Sequence, residues 1–193
     1  MKRLTLAPAT TALLMAAAAL VLAACNGDAS GPAQPSPTDA PTRTTPFQGS
    51  REPIEVRPES PETAFLTDVR TAEQDGFDRV VFEFEGGSTG YLIEYVEPPI
   101  KEDPSDLPID IAGNAFLRVV FLSGTAVDLT GEEVRITCCS SEIVTGLPSL
   151  VDLQNAGDFE ATMTWVFGLS EEVDFGVSEL QDPYRIVIDV AHP

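Results

Sequence analysis

Alternating apolar and polar residues predict a series of β-strands from about Pro61 to the end of the chain. Within 78–85, the apolar residues Val80, Phe82 and Phe84 share one face, because side chains alternate along a strand. Comparable patterns predict strands at 91–96, 115–122, 161–169, 175–180 and 184–190. Weaker patterns predict further strands at 65–70, 133–137 and 150–155.

The residues between these segments indicate how they are connected. The Gly-rich stretch 86–90 predicts a turn that joins 78–85 and 91–96 as a hairpin. No long segment has helical spacing, and clusters of Gly, Pro and Asp separate short strands at regular intervals. This pattern is typical of an all-β domain, either a sandwich or a barrel, and predicts a loop at the acidic stretch 97–106.

The first 24 residues have the features of a secretory signal peptide. Lys2 and Arg3 precede an apolar run over 13–22, and small residues lead up to Cys25. A Cys directly after Leu-Ala-Ala resembles a bacterial lipobox, which implies cleavage before Cys25 and lipid attachment to its thiol. We therefore expect a lipid anchor in the outer face of the cytoplasmic membrane, with an uncleaved membrane helix or ordinary secretion as alternatives.

Residues 25–60 differ in composition from the rest of the chain. This segment is rich in Pro, Ser, Thr, Ala and Gly, and large apolar residues are rare in it. Such a segment buries too little apolar surface to offset the entropy lost on ordering. We predict a disordered stalk that carries the lipidated Cys25 at its start and the folded domain, 61–193, at its end.

The chain is strongly acidic. Only 9 of the 11 basic residues but all 31 acidic residues follow the predicted cleavage point, so the mature net charge is −22. This charge opposes binding to nucleic acid and to anionic surfaces, and we expect no nucleic-acid partner. The acidic loop from Glu97 to Asp110 could hold calcium, but it lacks the ligand spacing of a known calcium loop. We favour a solvated loop and expect no metal or cofactor.

Two adjacent cysteines, Cys138 and Cys139, remain if Cys25 carries lipid. Neighbouring α-carbons lie about 3.8 Å apart across a trans peptide, whereas a disulfide usually needs about 4.4–6.8 Å. A bond between the two sulfurs would close a strained ring. A vicinal disulfide and two free thiols are both open, and a metal site is less favoured because no second Cys pair or nearby His completes it.

Several segments together resemble AMIN-like domains. The stretch 78–84 is similar to their opening strands, and 175–177 with 183–190 is similar to their ending. Residues 157–160 and 164–169 are similar to the middle. The resemblance covers about Thr63 to Pro193 and is closest to the AMIN-like lipoproteins of high-GC Gram-positive bacteria. It implies a two-sheet β-sandwich and a non-catalytic role in localisation to the envelope through peptidoglycan.

Exposed aromatic rings commonly stack on sugars, and three residues are candidates. Tyr91 and Tyr95 share a face with Ile93, and Trp165 shares a face with Met163. Because alternation places these rings with other apolar residues, we favour core packing over sugar binding.

Three arginines lie opposite the apolar face of their strands: Arg79, Arg118 and Arg185. Together they could form an anion site for the carboxylates of peptide stems. The alternative, which we favour, is that each pairs with a nearby acid, as Arg185 could with Asp189 on the same strand face.

Catalytic motifs are lacking in the sequence. The only histidine, His192, is next to the end of the chain, and no nucleophile elbow, phosphate loop or zinc motif occurs. The chain ends at Pro193, so we expect no catalytic domain and no enzyme activity. The function that follows is binding to peptidoglycan or another wall component, and the alternative is docking of an envelope protein. A hydrolase with a carboxylate pair is a distant third.

Overall fold

A computed structural model describes residues 47–59, 61–128, 135–140 and 142–193, and these residues contain strands but no helix. The expected signal peptide, Cys25 and most of the predicted stalk lie outside them. The strands are β1 (Ile54–Val56), β2 (Ala64–Gln74), β3 (Phe77–Glu85), β4 (Gly90–Val96), β5 (Ala115–Leu122), β6 (Gly124–Thr125), β7 (Val127–Asp128), β8 (Arg135–Ile136), β9 (Glu142–Val144), β10 (Leu150–Phe159), β11 (Thr162–Leu169), β12 (Phe175–Leu180) and β13 (Tyr184–Ala191). The described residues include no helix able to cross a membrane.

Two sheets pack face to face as a sandwich, as predicted. Sheet 1 has five strands in the order β12-β13-β3-β2-β6, and sheet 2 has six in the order β1-β4-β5-β11-β10-β9. Neighbouring strands are antiparallel except for β2 and β6, which are parallel. A separate short pair, β7 and β8, joins neither sheet. The all-β sandwich predicted from the strand pattern and the family resemblance is confirmed.

The core lies between the sheets and consists of the apolar faces that alternation predicts. On β3, Val80, Phe82 and Phe84 are buried. The Phe82 ring makes edge contacts with Phe121, at 4.8 Å between centroids, and with Trp165, at 5.7 Å. Full burial of one such side chain stabilises the fold by about 1.5–3 kcal/mol, so this aromatic cluster is a major contribution.

The predicted hairpin between 78–85 and 91–96 is wrong. β3 belongs to sheet 1, where β2 and β13 occupy both of its edges, and β4 belongs to sheet 2. The Gly-rich stretch 86–89 crosses from one sheet to the other. Both strands have a single apolar face, and the crossing lets both faces point into the same core.

The sandwich begins earlier than the predicted boundary at Pro61. β1 pairs with β4 at the edge of sheet 2, and its Ile54 and Val56 pack against the core. Ser50 forms two backbone hydrogen bonds with Phe175, of 3.0 and 2.9 Å. The few large apolar residues of the predicted stalk are therefore the ones that attach it to the domain. The average composition of 25–60 does not reveal this role.

The weaker strand patterns also have counterparts in the structure. The predicted 65–70 and 150–155 correspond to the longer β2 and β10, and both of these strands contain a bulge or irregularity. The predicted strand 133–137 corresponds to the short β8. Its first two residues cannot be compared, because 129–134 lie outside the described residues. Bulges shift the alternation by one residue, so a fixed period detects only part of each strand.

Candidate functional site

The loop between β4 and β5, residues 97–114, folds over the outer face of sheet 2 and is called the covering loop here. Its Ile100 and Ile111 pack against Val166 and Ala156 of the sheet in a second, smaller apolar cluster. This contact fixes a loop that its acidic sequence alone would leave in solvent. Only part of the outer face is covered, so the loop and the sheet enclose a space between them.

Two glycines of sheet 2 hold the covering loop close to the sheet. A Cβ at Gly168 would lie 1.8 Å from the carbonyl oxygen of Ala112, and one at Gly157 would lie 2.1 Å from that of Asp103. Asp103 also donates its backbone N–H to Ala156 at 2.7 Å. Because no side chain intervenes, the loop backbone rests directly on the strands at both points.

Between the loop and the sheet lies a cleft of about 550 Å³. Its sheet side combines apolar residues, two threonines and one arginine, and its loop side is charged. The lining residues are Val96, Glu97, Pro99, Ile100, Lys101, Glu102, Asp103, Pro104, Asp106, Arg118, Val120, Thr162, Thr164 and Val166. The volume lies within the range of ligand sites, about 300–1,000 Å³.

The two cations of the cleft are paired. Arg118 Nη2 bonds Glu94 Oε1 on the neighbouring strand, and Lys101 Nζ lies 2.8 and 2.9 Å from the carboxylate oxygens of Asp106. Arg118 Nε is buried and has no hydrogen-bond partner among the described residues. The cleft therefore has no free cationic group, and the unsatisfied donor Arg118 Nε is shielded from a ligand by burial.

A comparison with models of protein families shows the family to which this domain belongs. The model of the AMIN-like domain matches residues 64–192. The chain belongs to the AMIN-like domain family. Searches among curated proteins and among solved structures gave no match. The matched range starts at β2, so β1 lies before the part of this AMIN-like domain that the family model covers.

The AMIN-like domain does not bring the three candidate arginines together. Arg79 and Arg185 lie on the outer side of sheet 1, whereas Arg118 lies on the outer side of sheet 2. Arg79 Nε and Nη2 donate to Asp189 at 2.7 and 2.8 Å, and this hydrogen bonding raises the pKa of Arg79. Arg185 donates instead to the backbone of Pro183 at 3.3 Å. The suggested Arg185–Asp189 pair is wrong, since Asp189 lies directly opposite Arg79.

The candidate aromatic residues lie in the core, as favoured. Trp165 is 2% exposed and Tyr91 is 5% exposed. The Tyr95 hydroxyl donates to Val173 O at 2.6 Å. Burial, together with the nearby charge and hydrogen bond of Glu179, raises the pKa of Tyr91 to about 12. Burial likewise raises the pKa of Tyr184, whose hydroxyl lies 3.3 Å from the same carboxylate.

A buried polar contact at the end of the chain was missed by the sequence reasoning. Asp78 is fully buried and accepts hydrogen bonds from the N–H groups of Ser149 and Leu150, at 2.7 and 2.9 Å. Its other oxygen lies 2.9 Å from His192 Nε2. Ser149 Oγ donates to the carbonyl of Ala191, so the three residues are not arranged as nucleophile and base. The sequence did contain a signal for this contact, because the alternation of β3 places Asp78 on the core face.

The remaining candidates concern metals and thiols. Among the residues that the structure describes, no group of three or more His, Cys, Asp or Glu is arranged to hold a metal ion. Cys138 and Cys139 are joined in a disulfide, with their α-carbons 3.7 Å apart. Cys138 is partly buried and packs against the core. Of the two alternatives left open by the sequence, the structure has the vicinal disulfide.

Proposed function

We propose that this protein is a non-catalytic, lipid-anchored component of the cell envelope whose sandwich binds peptidoglycan. AMIN-like domains are a type associated with envelope and peptidoglycan-related proteins. The signal-peptide features of residues 1–24 and the lipobox-like sequence ending in Cys25 support an anchor on the outer face of the cytoplasmic membrane. The composition of residues 26–46, rich in Pro, Ser and Thr, is typical of a spacer between an anchor and a domain.

The observation that carries the proposal is the cleft on sheet 2. Sugar rings present both apolar faces and hydroxyl groups, and peptide stems carry charged groups. The cleft matches this mixture, since Val120 and Val166 lie beside Thr162, Thr164 and the charged covering loop. The outer side of sheet 1 has a smaller hollow of about 220 Å³, and its Arg79 is held by Asp189. Sheet 2 is therefore the better candidate for wall binding.

The proposal is tested by co-sedimentation of the protein with purified peptidoglycan. The chain is produced without residues 1–24 and with Cys25→Ser, so that no lipid contributes to sedimentation. We expect saturable binding that does not require calcium. Recovery of all protein in the supernatant across the concentration range would refute wall binding.

A second candidate function is supported by a different surface. An apolar groove of about 440 Å³ lies beside the edge strand β6 and includes Phe65, Val127 and Phe159. Phe159 is 51% exposed, and large exposed apolar side chains of this kind are common where a protein partner docks. If the protein docks an envelope partner here, Phe159→Ser abolishes its crosslinking in native envelopes. The control Leu180→Ser removes an exposed apolar side chain from β12, at the opposite edge of sheet 1 from β6, and leaves that crosslinking unchanged.

A further inference from the structure

We propose that the cleft recognises a primary ammonium group on its ligand, which selects wall fragments whose peptide stems carry a free amine. The inference rests on the proposed wall-binding function and names the chemical group that the site takes. It differs from the anion site for peptide-stem carboxylates that Arg79, Arg118 and Arg185 suggested in the sequence.

The charges of the cleft favour a cation. Arg118 and Lys101 are each neutralised by a carboxylate, as described above. Glu97 and Asp103 also line the cleft, and neither side chain has an ion pair or hydrogen bond with another described residue. A carboxylate ligand would have to displace Glu94 or Asp106 from its partner. An ammonium ligand would instead pair with carboxylates that are already free.

The unpaired hydroxyl of a largely buried threonine marks where the ammonium group would be held. Thr164 is 7% exposed and lines the cleft, and its hydroxyl has no hydrogen-bond partner among the residues described. Its direct neighbour across the sheet is Gly157, over which the backbone and Cβ of Asp103 lie. The absence of a side chain at Gly157 thus brings Asp103 beside Thr164. One carboxylate and one hydroxyl oxygen are suitable acceptors for the three donors of an ammonium group.

The rest of the lining fits the body of such a ligand. Val120 and Val166 on the sheet side and Pro99 and Pro104 on the loop side are apolar. A methylene chain between an amine and a peptide backbone would lie along these residues. The net charge of −20 of the whole chain also attracts a cationic group to the cleft over longer range.

Two experiments test the inference. In the first, peptidoglycan is treated with acetic anhydride, which converts free amines to neutral amides, and its binding is compared with that of untreated wall. We expect acetylation to weaken binding at least tenfold. Equal binding of both preparations overturns the ammonium inference and leaves wall binding intact, whereas failure to bind untreated wall refutes the proposed function itself.

The second experiment does not depend on the wall. Isotope-labelled protein is titrated with Nα-acetyl-lysine amide, and the amide resonances of Asp103 and Thr164 are followed by NMR. We expect saturable shifts that are absent with the Nα,Nε-diacetyl compound. The double variant Glu97→Gln, Asp103→Asn should lose these shifts, whereas the charge-matched control Glu142→Gln, Glu171→Gln should keep them. No shift with the amine, or equal shifts with both compounds, overturns the inference.

Discussion

His192 Nε2 lies 2.9 Å from an oxygen of the fully buried Asp78 and thereby ties the last residues of the chain to β3 in sheet 1. The same carboxylate caps the backbone N–H groups of Ser149 and Leu150, where the chain enters β10 of sheet 2. One side chain therefore connects both sheets and the carboxyl-terminal end. A buried carboxylate is tolerated because each of its oxygens has a partner.

The first prediction concerns this contact. Asp78→Ala leaves two buried N–H donors without partners, and each such group costs about 1–3 kcal/mol. We expect the free energy of unfolding in urea to fall by about 2–6 kcal/mol, the sum for the two donors. His192→Ala should cost less, about 1–3 kcal/mol, since it leaves only one oxygen of the buried carboxylate without its partner. An Asp78→Ala protein as stable as the exposed control Glu73→Ala would contradict this assignment.

The second prediction concerns the covering loop. Gly168→Ala places a methyl group where the carbonyl of Ala112 lies, so the loop has to move away from sheet 2. We expect a loss of about 1–3 kcal/mol, typical of overpacking, and faster amide hydrogen exchange in the loop. Gly87→Ala is the matched control, because its Cβ would have an ordinary 3.4 Å contact with Glu62. Unchanged exchange at Ile109 in the Gly168→Ala protein would show that the loop is not held at this point.

The third prediction concerns alkaline pH. Burial and Glu179 raise the pKa of Tyr91 to about 12, above the unfolded value of about 10. The neutral phenol is therefore favoured by folding. Its contribution to stability is fully present below pH 10 and is lost as the pH rises from 10 to 12. Titration by absorbance at 295 nm should show that Tyr91→Phe loses one late-ionising tyrosine while that of Tyr184 remains, because burial raises the pKa of both residues. The decline of stability over this window should be weaker in Tyr91→Phe.

The fourth prediction concerns the anchor. If Cys25 carries lipid, Cys25→Ala abolishes labelling by a radioactive fatty acid and blocks processing of the precursor. Electrophoresis of labelled cells measures both effects. Lipid-labelled mature protein in the variant would contradict the proposed anchor. A Cys138→Ala, Cys139→Ala variant is the control and should keep its label.

Local alternation was sufficient to predict the strands of the core, because residues such as Phe82 and Trp165 must face inward in any sandwich. It could not assign strands to sheets. Whether 91–96 pairs with 78–85 depends on β13, which follows much later in the sequence. In the fold, β13 pairs with the edge of β3 that β2 leaves open, so β4 cannot pair there. For the same reason the sequence placed Arg79 and Arg118 on outward faces but could not show that the two faces are opposite.

The cleft could not be predicted from the sequence, for a related reason. It exists because the covering loop meets Gly157 and Gly168, and glycine contributes nothing to a hydrophobic pattern. The loop sequence indicated only acidity and proline. Its attachment through Ile100 and Ile111 needs the outer face of sheet 2 as a partner, which becomes visible only when the strands are assembled.

A pair of valine variants tests whether the cleft on sheet 2 binds the wall. Val120 lines the cleft, whereas Val81 lies on the outer side of sheet 1, and both are partly buried strand residues. Dissociation constants for purified peptidoglycan are measured for Val120→Trp and Val81→Trp after both variants are shown to fold. If the cleft binds the wall, Val120→Trp loses affinity at least tenfold and Val81→Trp changes the affinity less than twofold. Equal affinities of the two variants would mean that the cleft is not the wall-binding surface.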